Sequence, residues 1–143
     1  MSSVKTNQPF LALSKICLNN WHYIDQKVLS FNDGINFFTG HSGSGKSTVI
    51  DAMQIVLYAN TDGRGFFNKA AADDSDRNLI EYLRGMVAVG EKDEVTYLRN
   101  KNFSTTIVLE FTQTESEEKE CLGVVFDVDT GRNDTSRLFF WHK

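Results

Sequence analysis

Hydrophobic and polar positions along the chain change period several times, and each change predicts an element. Residues 10–19 alternate roughly, with Leu11, Leu13 and Cys17 on one side and Ala12, Ser14 and Leu18 on the other, which predicts a strand. Asn19-Asn20 predicts the start of a turn, and residues 27–31 a second strand. Asn32-Asp33-Gly34 is a strong turn signal, because Asn and Gly tolerate positive φ. The short apolar run 35–39 after it predicts a buried third strand.

The period then becomes helical. Val49, Ile50, Met53, Val56 and Leu57 form one apolar stripe, predicting a helix over about residues 46–58. Leu79, Ile80 and Leu83 share a face of a second helix that ends at Arg84, with Ser75 or Asp76 as its N-cap and Gly85 as its stop. Residues 86–102 show no clear period beyond a short strand near 95–98. The last third predicts strands at 105–112, 120–128 and 137–141, separated by turn chemistry at 114–118 and 130–134. Links this short imply an antiparallel meander. Residues 1–9 are polar and predicted to be loose, which leaves 10–143 as the folded unit.

Composition narrows the class. The 143 residues suit one domain or one lobe of a larger one, and 41% hydrophobic content can build a core. The net charge of −4 argues against a uniformly basic nucleic-acid binder. Charge is uneven: residues 102–143 hold four Lys/Arg against eight Asp/Glu, whereas the rest of the chain balances. Cys17 and Cys121 lack metal-ligand spacing and are expected to be buried thiols in a reducing compartment. No apolar run approaches a membrane span and no signal peptide is evident, so a cytoplasmic protein is expected.

One segment carries chemistry. Gly40-His41-Ser42-Gly43-Ser44-Gly45-Lys46-Ser47-Thr48 fits the phosphate-loop pattern G-x-x-x-x-G-K-[ST] at every fixed position. Wrapping a triphosphate in backbone N–H groups leaves little room for side chains, which Gly40, Gly43 and Gly45 supply. The loop opens onto a predicted helix N-terminus, where unpaired amides and the dipole favour anionic phosphate. Lys46 would bring a positive charge to the β- and γ-phosphates and is the candidate catalytic residue. Ser47 would offer its hydroxyl to Mg²⁺, and Thr48 would meet the α-phosphate through its hydroxyl or its amide. ATP with Mg²⁺ is the expected ligand.

The surrounding segments are similar to an SMC-like, ABC-type ATPase head. The residues that carry the resemblance are Leu18-Asn19-Asn20-Trp21, Phe31-Asn32-Asp33-Gly34-Ile35-Asn36, the phosphate loop, Thr48-Val49-Ile50-Asp51-Ala52 and Leu57-Tyr58. Further blocks resemble the MukB/MksB/JetC group of bacterial condensins, whose JetC members belong to anti-plasmid defence: Phe67-Asn68-Lys69-Ala70-Ala71, Leu79-Ile80-Glu81-Tyr82-Leu83-Arg84-Gly85, Tyr97-Leu98-Arg99-Asn100 and Leu122-Gly123-Val124-Val125-Phe126-Asp127. The resemblance implies an α/β fold of P-loop NTPase type: the N-terminal lobe of a split head, with a mixed sheet, a P-loop helix and a β-meander. It implies a C-terminal lobe and a second head as partners, duplex DNA as the object, and room for accessory subunits. The signature motif, Walker B pair and switch histidine of such heads have no counterpart in the sequence. Ser42 stands where many such loops carry Asn. His22 stands where many heads carry a basic residue near the adenine, and it is either a base contact or a surface histidine.

Other features leave alternatives. Gln113 could imitate a Q-loop glutamine, although a polar turn residue accounts for it better. Asp127 imitates a Walker B aspartate, although Val128 follows where Glu would stand. If Asp127 held Mg²⁺, the chain would be a small self-contained P-loop kinase; a non-hydrolysing nucleotide sensor is the third possibility. Arg64, Lys69, Arg77 and Arg84 could face DNA, or form a solvated surface with the interleaved acids Asp73, Asp74, Asp76 and Glu81. Glu115, Glu117, Glu118 and Glu120 are expected at an exposed hairpin end. Phe139-Phe140-Trp141 is expected to pack on another lobe or on the domain's own sheet.

Overall fold

The computed structural model describes residues 9–32, 46–58, 76–89 and 95–143. Glycine-rich residues 40–45, the predicted strand at 35–39 and the loose segment 1–9, except its last residue, lie outside these. Among the described residues, seven strands and two helices run in the order β1 (Leu11–Trp21), β2 (Ile24–Ser30), α1 (Lys46–Tyr58), α2 (Asp76–Arg84), β3 (Met86–Val89), β4 (Val95–Tyr97), β5 (Phe103–Gln113), β6 (Lys119–Asp129) and β7 (Asp134–His142). Five strands form one sheet in the order β2-β1-β5-β6-β7, and β3 pairs with β4. Every pairing among the described residues is antiparallel. The expected meander is therefore β5-β6-β7, and the β1–β2 hairpin extends it on one side. The chain is an α/β protein.

The alternation in β1 is broken for a structural reason. The register between β1 and β5 shifts between Leu13 and Lys15, so Ser14 is an extra, bulged residue. The bulge moves Ile16 and Leu18 to the core and Cys17 to the outer face, which corrects the expected grouping of Leu13 with Cys17. Its polar groups are satisfied: Ser14 Oγ donates to the Glu110 carbonyl at 3.0 Å, and the Ser14 carbonyl accepts from Phe31 N–H at 2.9 Å. The strand also runs through the expected turn at Asn19-Asn20. Asn20 takes φ 52°, Thr105 Oγ1 donates to its carbonyl, and Trp21 comes out fully buried. The turn falls at His22-Tyr23 instead, closed by the Trp21–Ile24 pair.

The helices lie on the core face, α1 against β5 and β6 and α2 against β1 and β7. On α2 the buried residues are Leu79, Ile80 and Leu83, as the period predicted. On α1 they are Val49, Ala52, Ile55, Val56 and the polar Asp51, while Ile50 and Leu57 are exposed. This helix is apolar almost all round, so spacing alone does not choose its face. Burial of such side chains contributes roughly 1.5–3 kcal/mol each for the larger ones.

The outer face of the sheet is only half covered. Cys17 and Cys121 both sit there, half-buried and free, not in the core as expected. The pairing Val108–Gly123–Phe140 runs across three strands on this face. A Cβ on Gly123 would collide with the Phe140 ring and come within 2.8 Å of the Ile107 carbonyl, so this strand position admits only glycine without rearrangement. Phe139 packs against the core from the other face, and Trp141 is 60% exposed. Of the terminal aromatics, Phe139 and Phe140 therefore pack on their own sheet. The 114–118 turn is exposed, with Glu117 at φ 60°.

Candidate functional site

Helix α1 begins at Lys46, at the residue where the phosphate loop ends. Its first turn carries no acidic side chain, so nothing there opposes an anion at the free amides. A phosphate group fits this end of the helix on that ground. Residues Gly40, His41, Ser42, Gly43, Ser44 and Gly45 lie outside the described residues, as do the side chains of Lys46 and Ser47. Thr48 is described, and it is the point at which the helix is held from outside.

Two side chains from elsewhere reach the helix. The buried Trp21 indole donates from Nε1 to the Thr48 carbonyl at 2.8 Å. A carbonyl has two acceptor sites, so this bond can coexist with the helix's own ladder. The Tyr82 hydroxyl, from α2, donates to Asp51 Oδ2 at 3.2 Å. Burial chiefly, and then the charge of Asp51, hold the Tyr82 phenol protonated far above its ordinary range. Burial likewise pushes the Asp51 carboxyl up from 3.8, and the Tyr82 hydroxyl partly offsets that. The Tyr82 proton therefore points at Asp51.

Trp21, Tyr82 and His22 form one aromatic stack. The Trp21 and Tyr82 rings are 5.0 Å apart and tilted by 58°, while His22 and Tyr82 are stacked at 4.0 Å with an interplanar angle of 10°. His22 sits at φ 51° in the hairpin turn and is half-buried. Its Nδ1 meets the Tyr82 carbonyl at 3.0 Å; the carbonyl can only accept, so Nδ1 carries the proton. Burial, aided by nearby Arg99, lowers the ring's pKa below 6.5 against the opposing effect of that hydrogen bond. His22 is half-buried, with one nitrogen and one ring face engaged within the fold.

Arg99 locks this corner. One terminal nitrogen donates to the carbonyls of His22 at 2.6 Å and Leu83 at 2.7 Å; the other donates to the Ile24 carbonyl at 3.0 Å and to Asp25 at 3.3 Å. Its side chain is only 9% exposed. Gly85 ends α2 at φ 72°, and its amide is shared between the Glu81 and Tyr82 carbonyls. Arg84 donates to the Arg99 carbonyl and to Asn100, and lies 4.0 Å above the Tyr97 ring. That engagement makes Arg84 part of the fold's interior bracing. Arg64, Lys69 and the Arg77 side chain lie outside the described residues.

The two sequence look-alikes resolve into structure. Gln113 closes the β5–β6 turn: its amide donates to the Glu118 carbonyl at 2.8 Å and its carbonyl accepts from Glu117 at 3.1 Å. Asp127 is exposed on β6, receives a hydrogen bond from Ser104, and lines a cleft of about 400 Å³ with Asn102, Asp129 and Asp134. Both neighbours of β6 are taken, by β5 and β7. Asp127 therefore lies within the antiparallel β5-β6-β7 meander, and Val128 follows it where a Walker B pair would carry Glu. No group of three or more His, Cys, Asp or Glu able to hold a metal occurs among the described residues. No helix among them is long and apolar enough to cross a membrane.

Residues 13–74 match the family described as the P-loop containing region of AAA domain. No curated protein matches the chain. Among solved structures, one described as "Structural biochemistry of ATP-driven dimerization and DNA stimulated activation of SMC ATPases" is 18% identical, with a TM-score of 0.49, over 89% of this chain and 68% of that one.

Proposed function

We propose that this chain binds Mg-ATP as one lobe of an SMC-like ATPase head whose parent acts on DNA through ATP-driven engagement of two heads. The observation that carries the nucleotide part is the complete phosphate-loop sequence running into the acid-free first turn of α1. The match of residues 13–74 to a P-loop region supports it. Gly40 through Gly45 would wrap the phosphates, Lys46 would offset their charge, and Ser47 would hold the metal. Thr48 would serve the α-phosphate through its hydroxyl or its amide. A bound Mg²⁺ would neutralise the β- and γ-phosphates.

The head and DNA parts of the proposal rest on the sequence resemblance, as does the view that a second lobe completes the site. Phosphoryl transfer also needs an oriented water and a base, so the chain alone should turn ATP over slowly. The placement of Asp127 on a filled strand disfavours the self-contained kinase.

Calorimetry on the full chain tests the nucleotide reading. Mg-ATP should bind, and Lys46→Ala should weaken it about ten- to hundredfold, the size of a charge-assisted contact of ~1.5–3 kcal/mol. No binding by the wild type, or equal binding by the variant, would overturn it.

A further inference from the structure

We infer that Trp21 and Tyr82 are positioning residues for the phosphate-binding end of α1, an inference that rests on the nucleotide reading above. Neither belongs to the phosphate-loop pattern. Each lies on a different element, β1 and α2, and both hydrogen-bond to the first two turns of α1.

The argument is one of leverage. Dispersion contacts are many and non-directional, so they specify the rotation of a helix less sharply than directional hydrogen bonds do. The apolar surface of α1 is nearly continuous around its circumference, so packing alone fixes its rotation weakly. Hydrogen bonds are directional, and the ones from Trp21 and Tyr82 fall at Thr48 and Asp51, next to the free amides. The residues that supply them do not move independently. Arg99 ties the β1–β2 turn to the end of α2 through the His22, Leu83 and Ile24 carbonyls. His22 adds the 4.0 Å stack on Tyr82. The phosphate end of α1 is thus docked onto a braced corner of the fold.

This arrangement predicts a binding defect with a particular signature. Trp21→Phe keeps an aromatic ring and removes the donor; Tyr82→Phe keeps the ring stack and removes the hydroxyl. If these side chains set the amides against phosphate, each variant weakens Mg-ATP and Mg-tripolyphosphate by the same factor. About five- to tenfold is expected from one lost hydrogen bond. A base-contacting role would instead weaken ATP and leave tripolyphosphate untouched.

The test is titration of the full chain and its variants with both ligands by calorimetry, well below each melting temperature. Val128→Ala, a core truncation on β6, serves as the control for general destabilisation and should keep wild-type affinity. Equal loss for the two ligands in Tyr82→Phe, and in Trp21→Phe if it folds, with Val128→Ala unaffected, supports the inference. Wild-type affinity in Tyr82→Phe, a loss confined to ATP, or an equal loss in Val128→Ala overturns it while leaving the nucleotide reading standing. Failure of the wild type to bind either ligand removes both.

Discussion

His22 concentrates several constraints in one ring: a left-handed backbone, a stack on Tyr82, a backbone hydrogen bond and a neighbouring arginine. Its pKa is held below 6.5, chiefly by burial. The unfolded chain therefore takes up the proton more readily. The stability that the neutral ring contributes is full above pH 6.5 and is lost as pH falls through the folded value. Melting temperature should fall between pH 7 and pH 5 on this account. His22→Asn, which tolerates positive φ, should flatten that slope in thermal melts followed by circular dichroism. Asp51 works in the opposite sense. Its pKa is raised above 3.8, so its contribution is present below that pH and lost as pH rises through the folded value. An unchanged slope in the variant would place the acid sensitivity elsewhere.

At the level of elements, the end of α2 is the tightest junction. Gly85 combines φ 72° with a carbonyl 2.9 Å from where its Cβ would lie, that of His22, and the Leu98 side chain at 3.1 Å. The backbone at His22 cannot yield easily, because Arg99 holds that same carbonyl. Gly85→Ala should cost about 2 kcal/mol, from the left-handed conformation and the displaced turn together. Urea unfolding should show a lower midpoint with an unchanged slope. Much of this element was legible in advance: the α2 period, its stop at Gly85 and its buried triad follow from side-chain spacing. Strand β4 matches the short strand expected near 95–98, but its partner β3 was not legible, because a strand of four residues carries no readable alternation. Leu98 N–H bonds to the Gly85 carbonyl at 2.8 Å and Arg99 N–H to the Arg84 carbonyl at 3.1 Å.

For the whole molecule, nucleotide binding and folding are linked. A ligand that binds only the folded state at about a hundred times its dissociation constant adds ~2.7 kcal/mol of stability. Thermal unfolding with Mg-ATP should therefore shift upward by several degrees, and chelating the metal or introducing Lys46→Ala should abolish most of the shift. On the proposed head reading, the same variant in a longer parent should lose nucleotide-dependent dimerisation while remaining folded, which analytical ultracentrifugation would read. Retained dimerisation would count against the role of Lys46.

Local chemistry determined a good deal by itself. The phosphate-loop pattern is a statement about contiguous backbone, so spacing alone exposes it. The helices, the meander and the acidic hairpin end follow likewise from period and turn residues, which act over a few neighbours. Long-range contact decided the rest. The bulge at Ser14 sends Ile16 and Leu18 inward, the face of α1 is chosen by what it packs on, and the two thiols lie outside the core. It also made Trp21, His22, Tyr82 and Arg99 a single unit, although they are scattered over 79 positions of sequence. A hydrogen bond or a ring stack between distant residues leaves no period along the chain, and only folding brings the partners within reach.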